Sequence, residues 1–565
     1  MKSNPMGFVV AISLAVALSF VIAGCQAAPT ATPTKPPATA TTVPPLSQPT
    51  PTRPPATAAP AGATSPTAAP ATGATPTAAA AASAAKGKLT IVVNTEPLNL
   101  DAQLADDSAM RVATKNMYDE LTDRDSKTME VVPMLADKWE QKDATTWRFT
   151  LKKGIKFHNG EDFNADAAVW SLLRASNVDL NSRILSYFLT VKSATKVDDS
   201  TVDVITDGPD PILPSRVYFM PILAPKWAKE NPEEIPIKSF GTGPYKFVEM
   251  SRGQFIRMTA NDSYAGKTKP AIKDVTVVWR TEPAVRAAMV KTGEAQLARL
   301  LGPDQTKEVP KVGRTPTLEV FLIRLKLDQP VLKDKRVRQA MNYAVDRKAI
   351  IDTLYAGFAT APKAQPISPA VLGFDPKLED YPFDMNKAKA LVAEAKAAGV
   401  PVEQEVPYIV NKGRFPKVEE ASESLTNSWK QAGLNIKLNI VERSVYLDAL
   451  FGTTAAQFKD KAAMLQILHS NELIDASRST DMFKTGGRQS VWGDPELDKA
   501  MDDASKEGDM KKRVEKYNAI FAKLKDEAAF VAMFNLDFIW GMAKNLEWTP
   551  RLDDIVRINE MKLGS

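Results

Sequence analysis

Hydrophobic and polar positions follow two rhythms along this chain, and each change of rhythm marks an element. Residues 88–94 (KLTIVVN), 146–151 (TWRFTL) and 274–280 (DVTVVWR) are short runs rich in β-branched and aromatic side chains, and each predicts a strand. Lys152-Lys153-Gly154 after the second is a turn. Residues 165–176 bring Ala168, Leu172 and Ala175 onto one helical face. The clearest stretch is 334–441. Asp334 can cap a helix whose inward face is Val337, Ala340, Met341, Ala344 and Val345. Asp346 can cap a second helix over 347–355, ending near Gly357. Asp384 can cap a third, with Ala388, Leu391, Val392 and Ala395 inward and Gly399 at its end. Residues 416–432 read as a helix stopped by Gly433. Residues 434–440 (LNIKLNI) then alternate strictly, which predicts a strand with one buried face. Strand, helix and strand in that order predict βαβ units in a mixed α/β body.

The first 85 residues keep neither rhythm. Residues 7–23 form an unbroken apolar or small run of 17 residues behind Lys2. That is short of the roughly 20 a membrane span needs. The run ends in Ile22-Ala23-Gly24-Cys25, small residues before the only cysteine. An export signal over 1–24 with a cleavage site accounts for this. The ending resembles the lipobox of bacterial lipoproteins, with Ile in place of Leu. That implies lipidation of the Cys25 thiol and cleavage before it; an N-terminal anchor that stays attached is the alternative. Residues 26–85 are nearly all Pro, Ala, Thr, Gly and Ser and hold 14 of the 41 prolines. They offer no large side chains to offset ordering entropy, so 25–86 is expected to be a disordered, partly polyproline tether reaching roughly 40 Å. The folded body is then 87–565.

Charge and composition remove several kinds of chemistry. The chain has 72 Lys+Arg against 67 Asp+Glu. Three of the bases, Lys2, Lys35 and Arg53, precede the body, leaving it close to neutral. A basic surplus for nucleic-acid phosphates is missing, so no nucleic-acid partner is expected. One cysteine and two histidines leave no intrachain disulfide and too few ligands for a zinc finger or iron–sulfur cluster. Neither a cofactor nor a metal site is expected. The phosphate-loop, dinucleotide and nucleophile-elbow signatures are absent from the sequence. His158, in Lys156-Phe-His-Asn-Gly160, reads as a hydrogen-bonding residue of a turn. Gly241-Thr-Gly-Pro-Tyr245 lets the backbone turn tightly beside a neighbour; it either leads into a strand or lines a cleft. Adjacent acids such as Asp106-Asp107 and Glu233-Glu234 read as solvated loops.

Several stretches then occur together in order: Pro133-Met-Leu-Ala-Asp-Lys-Trp139, Trp147-Arg-Phe-Thr-Leu151, Gly154-Ile-Lys-Phe-His-Asn-Gly160, Ala165-Asp-Ala-Ala168, Gly241-Thr-Gly-Pro-Tyr245 and Lys291-Thr-Gly-Glu294. Asp334-Lys-Arg-Val-Arg-Gln-Ala-Met-Asn-Tyr-Ala-Val-Asp-Arg347, Tyr381-Pro-Phe-Asp384 and Trp548-Thr-Pro550 follow. This set resembles the family 5 extracytoplasmic solute-binding proteins, the dipeptide, oligopeptide and nickel receptors of ABC importers. The resemblance covers nearly all of 87–565. It implies an α/β, two-lobed Venus-flytrap fold of the cluster C type with an extra subdomain. By that analogy lobe one is 87–127, 210–315 and 525–565, the extra subdomain is 128–209, and lobe two is 316–524. The hinge crossings would be 321–327 and 530–538.

The resemblance also implies where a solute is held. Peptide receptors of the family often carry a Trp-x-x-Asp-Tyr-like segment whose Asp pairs with the peptide's amino group. The corresponding stretch here, 465–475, has neither the Trp nor the Asp-Tyr. An ordinary peptide grip is therefore not expected, although Glu472 or Asp475 can supply a carboxylate from another backbone position. The single histidine of this stretch is thin for nickel. Ligand-binding candidates are Glu96 after the first strand; Thr242 and Tyr245 in the glycine turn; Asn411 and Arg414 after a lobe-two strand; His469, Asn471, Glu472 and Asp475 in the divergent segment; and Trp492 beyond it. Arg414 can clamp a carboxylate, and Trp492 can stack on a ring. No catalytic residue is assigned. The expected function is that of a lipid-anchored, monomeric, extracytoplasmic binding protein. It would capture a peptide, oligosaccharide or amino-acid derivative and pass it to a membrane ABC permease. A sensor or adhesin lipoprotein on the same fold is the alternative; a hydrolase would need a carboxylate dyad inside the cleft.

Overall fold

The computed structural model describes residues 85–97, 99–104, 107–180, 182–451, 463–487 and 489–564. The signal run, Cys25 and the tether up to residue 84 lie outside the described residues. The backbone of Lys86 is already paired with Ala271 and Lys273.

One eleven-stranded sheet forms the spine. Its order runs from the edge strand Ile436–Val441 through Val406–Asn411, Met464–Ser470, Lys311–Leu325, Phe530–Met542, Leu297–Ala298, Lys88–Val93, Asp274–Trp279 and Phe255–Ala260 to Tyr245–Ser251. The short strand Ala359–Thr360 pairs with Phe530–Met542. The antiparallel pair Lys311–Leu325 and Phe530–Met542 runs through the middle. Its register is regular over 311–316 and over 322–324, and it shifts between Pro316 and Val320 and again between Phe321 and Leu322.

Among the described residues, the three largest apolar cores lie around this spine and beside it. One gathers Val337, Trp429, Leu465 and Phe521 on the side of the Met464–Ser470 strand. Another gathers Ile91, Tyr118, Val277 and Trp540 on the other side. A third lies under a separate four-stranded sheet, with strands Ala136–Asp143, Thr146–Leu151, Thr201–Thr206 and Val191–Asp198, and contains Phe149, Leu172, Phe188 and Val204.

Local sequence explains much of this. Asp334, Asp346 and Asp384 accept backbone N–H groups at the starts of helices Lys335–Tyr343, Arg347–Leu354 and Met385–Ala397. Gly399 and Gly433 sit at φ 86° and 101° after their helices, where a Cβ would be strained. Val406–Asn411, helix Val418–Gln431 and Ile436–Val441 form a parallel βαβ unit. The strictly alternating strand is an exception. Ile436 is buried, Leu438 is half-buried and Ile440 is 38% exposed, because this strand is the sheet's edge and its covered face runs out.

Candidate functional site

A cleft of about 1020 Å³ lies along the middle of the spine. Asn94, Thr95, Arg299 and Leu300 line one side, with Asp537 and Phe538 of a crossing strand. Asn411, Arg414 and Phe415, which follow strand Val406–Asn411, line the other, with His469, Glu472 and Arg478. Glu319, on the other crossing strand, lies between them. The Arg299–Leu300 loop is held from below by Arg286. Its buried guanidinium donates to the carbonyls of Arg280, Thr281, Arg299 and Leu300 at 2.5–3.0 Å. Burial and the nearby Arg299 lower the Arg286 pKa to about 10.

The wall is charged in both signs. Burial raises the Glu319 carboxyl above its usual range; Arg414 opposes this, and the carboxylates of Asp554 and Glu472 add to it. The Arg414–Glu319 contact is 3.5 Å long. Burial would raise Glu472 too, but Arg111 and Arg478 hold it below its usual value. Asp554 is raised by burial against its hydrogen-bonded partner Arg299. Arg299 also donates to Asn94 Oδ1 at 3.1 Å. Burial, with Arg478 beside it, pushes the His469 imidazole down to about 3. His469 is therefore neutral, with Nε2 2.8 Å from Ser479 Oγ. That serine is fully buried and the imidazole is a weak base, so the pair does not make a hydrolytic centre. Arg478 lies 5.5 Å from the centre of the Tyr187 ring, and its Nε is buried without a hydrogen-bond partner among the described residues. Asn411 Oδ1 is likewise unpartnered.

Of the residues singled out from the sequence, the structure brings Asn411, Arg414, His469 and Glu472 to the cleft. Six do not line it. Glu96 turns away and accepts the Gly253 N–H at 2.9 Å. Thr242 is buried and donates to Asp119 Oδ2 at 2.9 Å. Tyr245 lies in the core and donates to the Ile272 carbonyl. The glycine turn leads into a strand. Gly243 N–H bonds the Met117 carbonyl at 3.1 Å, and a Cβ on Gly243 would come within 2.6 Å of the Met117 carbonyl carbon. His158 bridges to this turn as a hydrogen-bonding residue, its Nε2 2.9 Å from the Gly243 carbonyl. Asn471 is buried and spans Asp475 O and Ser479 Oγ. Asp475 is locked to Arg513 by bonds of 2.6 and 2.8 Å. Trp492 packs on the core that contains Trp429.

Glu319, Arg299 and Arg478 escaped the sequence reading. A signal existed for the first: a lone acid inside the apolar run Leu318–Leu325 must face something polar. No group of acids, histidines or cysteines among the described residues is arranged to hold a metal ion. No helix among them is long and apolar enough to cross a membrane.

Two cores joined through a pair of long strands, with a polar cleft along the junction, define the two-lobed class of solute-binding proteins. The chain belongs to the bacterial extracellular solute-binding proteins, family 5: the model of the family's middle region matches residues 130–490. It is 30% identical over 370 residues to the dipeptide-binding protein of Escherichia coli K12, covering 59% of this chain and 67% of that protein. It is 31% identical over 319 residues to the glutathione-binding protein GsiB of Pectobacterium atrosepticum, covering 54% of this chain and 60% of that protein. The matched segments thus span about two thirds and three fifths of these relatives' lengths. The fold is that of the ABC transporter substrate-binding protein CtaP from Listeria monocytogenes, with a TM-score of 0.75 at 21% identity over 85% of this chain and all of that one.

Proposed function

We propose that this protein is the receptor of an ABC importer, closing its lobes on a small polar solute and presenting it to a membrane permease without changing it chemically. The observation that carries this reading is the cleft itself. It is about 1020 Å³, the upper end of the range for small-molecule sites, and is walled by charged and hydrogen-bonding groups from both sides of the strand crossing. The register shifts at 316–320 and 321–322 are a natural place for a bend, since regular pairing is interrupted there and resumes over 322–324. In this reading lobe one comprises 87–127, 210–315 and 525–565, the extra subdomain 128–209, and lobe two 316–524. Relatives named for a dipeptide and for glutathione favour a solute with charged ends, as do the mixed charges of the wall. Lipidation at Cys25 would tether the monomer outside the cell through 25–86, and Cys25→Ala should leave it soluble or uncleaved.

The test is to purify the full chain, identify by mass spectrometry what travels with it, and return that compound to the protein. Recovery of the compound unchanged, with one equivalent bound, supports the receptor reading. Turnover of the compound would overturn it.

A further inference from the structure

We propose that Glu319 is the residue that recognises the positively charged group of the ligand and so gives the cleft a preference for solutes carrying a free ammonium. This rests on the receptor reading above.

The argument begins with the backbone. Glu319 lies inside the register shift of the crossing strand, where regular pairing with Phe530–Met542 is interrupted. It is nonetheless fixed: its N–H donates to Thr317 Oγ1 at 3.0 Å, and its carbonyl accepts from Asn535 Nδ2 at 3.1 Å. The carboxylate is therefore presented into the cleft from a rigid base on the element that joins the lobes.

That carboxylate is poorly satisfied. An ionised carboxylate can accept about four hydrogen bonds. Among the described residues this one has a single side-chain contact, with Arg414 Nη2 at 3.5 Å. A well-formed pair of this kind closes to about 2.7–2.9 Å. The two side chains are only 18% and 35% exposed, so water compensates the acid incompletely.

The surrounding charges sharpen the point. Glu472 and Asp554 face Glu319 and disfavour its ionised form; Arg414 and Arg299 face it and favour that form. Arg299 is engaged elsewhere, by Asp554 and Asn94. Glu472 has its own cations in Arg111 and Arg478. His469 is neutral and does not compete. Glu319 is thus left with one long contact to a cation, whereas Asp537 on the same wall is bonded to Arg314. A cation placed between Glu319 and Glu472 would relieve their mutual repulsion and fill vacant acceptor sites. Once Glu319 holds that cation, Arg414 is free to take an anionic group of the same molecule. The ligand class that fits both is a zwitterion of amino-acid or short-peptide type. A neutral oligosaccharide would leave Glu319 uncompensated.

The experiment uses the full-length wild type, Glu319→Gln and Glu319→Asp. Each is incubated with one pool of di- and tripeptides and their N-acetylated counterparts, then repurified. Bound compounds are identified by mass spectrometry, and their affinities are measured by calorimetry across the carboxylate titration range. Wild type should retain free-amine compounds over their acetylated forms, and should lose affinity as pH falls and Glu319 takes up a proton. Glu319→Gln should bind the same compounds about tenfold or more weakly, with the pH dependence flattened and the preference gone. Glu319→Asp should keep the preference. If Glu319→Gln does not fold, the wild-type pH profile and the Asp variant decide.

Unchanged affinity for free amines in a folded Glu319→Gln would overturn this assignment and leave the receptor reading standing. So would a wild type that prefers acetylated compounds. A wild type that captures nothing from the pool would count against both.

Discussion

Two carboxylate–guanidinium pairs, Asp475–Arg513 and Glu319–Arg414, have the same chemistry in opposite settings. In the first, both side chains are sealed from water, at 2% and 0% exposure, and two bonds of 2.6 and 2.8 Å join them. Arg513 also donates to the carbonyls of Ala504 and Ser505. In the second, one 3.5 Å contact spans a cleft between partly exposed groups. A buried, fully bonded pair is part of the scaffold, because removing one partner strands a charge. A long, half-wet pair costs little to open and can exchange partners with a ligand. The two acids lie on neighbouring segments of the fold; satisfaction of their hydrogen bonds, and not residue type, separates them.

The contrast can be broken most severely at the sealed pair. Arg513→Ala should lower unfolding free energy by about 3–5 kcal/mol in urea titration. A loss no larger than that of a surface pair would erase the distinction. Next comes the glycine turn at 241–245, which the sequence leaves open as a strand entry or a cleft lining. Gly243→Ala places a Cβ against the Met117 carbonyl and should cost about 1–3 kcal/mol. If this is a packing position, ligand affinity of the folded variant should stay at the wild-type value.

His469 offers a pH test within the cleft wall. Its folded pKa, about 3, lies below the unfolded value near 6.5. The unfolded chain therefore binds the proton first, and stability is lost as pH falls from about 6.5 toward 3, by up to about 1.4 kcal/mol per pH unit. Denaturant midpoints for His469→Gln should show that part of the acid slope removed. The smallest effect is expected at Arg414. Arg414→Gln should change stability by no more than about 1 kcal/mol, while weakening retention of carboxylate-bearing solutes in the same capture assay.

Elements with local causes were legible in the sequence. The capping aspartates, the glycines after helices and the βαβ unit each follow from a few neighbouring residues. The face of 434–440 was misjudged because alternation does not reveal that a strand is an edge. The site was legible only in part for a similar reason. Sequence placed 411–414 and 469–475 near a ligand, but not which of their side chains meet partners from afar. Asp475 is claimed by Arg513, 38 residues away. Thr242 is claimed by Asp119, 123 residues away. Glu319 carried a sequence signal, a lone acid in an apolar run, but which groups it meets depends on the distant segments that bring Arg414 and Glu472 to the same cleft.

The central claim is that the lobes close on a solute. The only cysteine is Cys25, so the full chain with Cys25→Ser accepts two engineered spin labels cleanly. Val248 is 53% exposed on the edge strand at one end of the spine, and Lys389 is exposed on helix Met385–Ala397 at the other side of the crossing. Distances between labels at Val248→Cys and Lys389→Cys should shift to a second, narrower population when the peptide pool is added, and return when it is dialysed away. A distance distribution that stays the same while a compound is demonstrably bound would contradict the account.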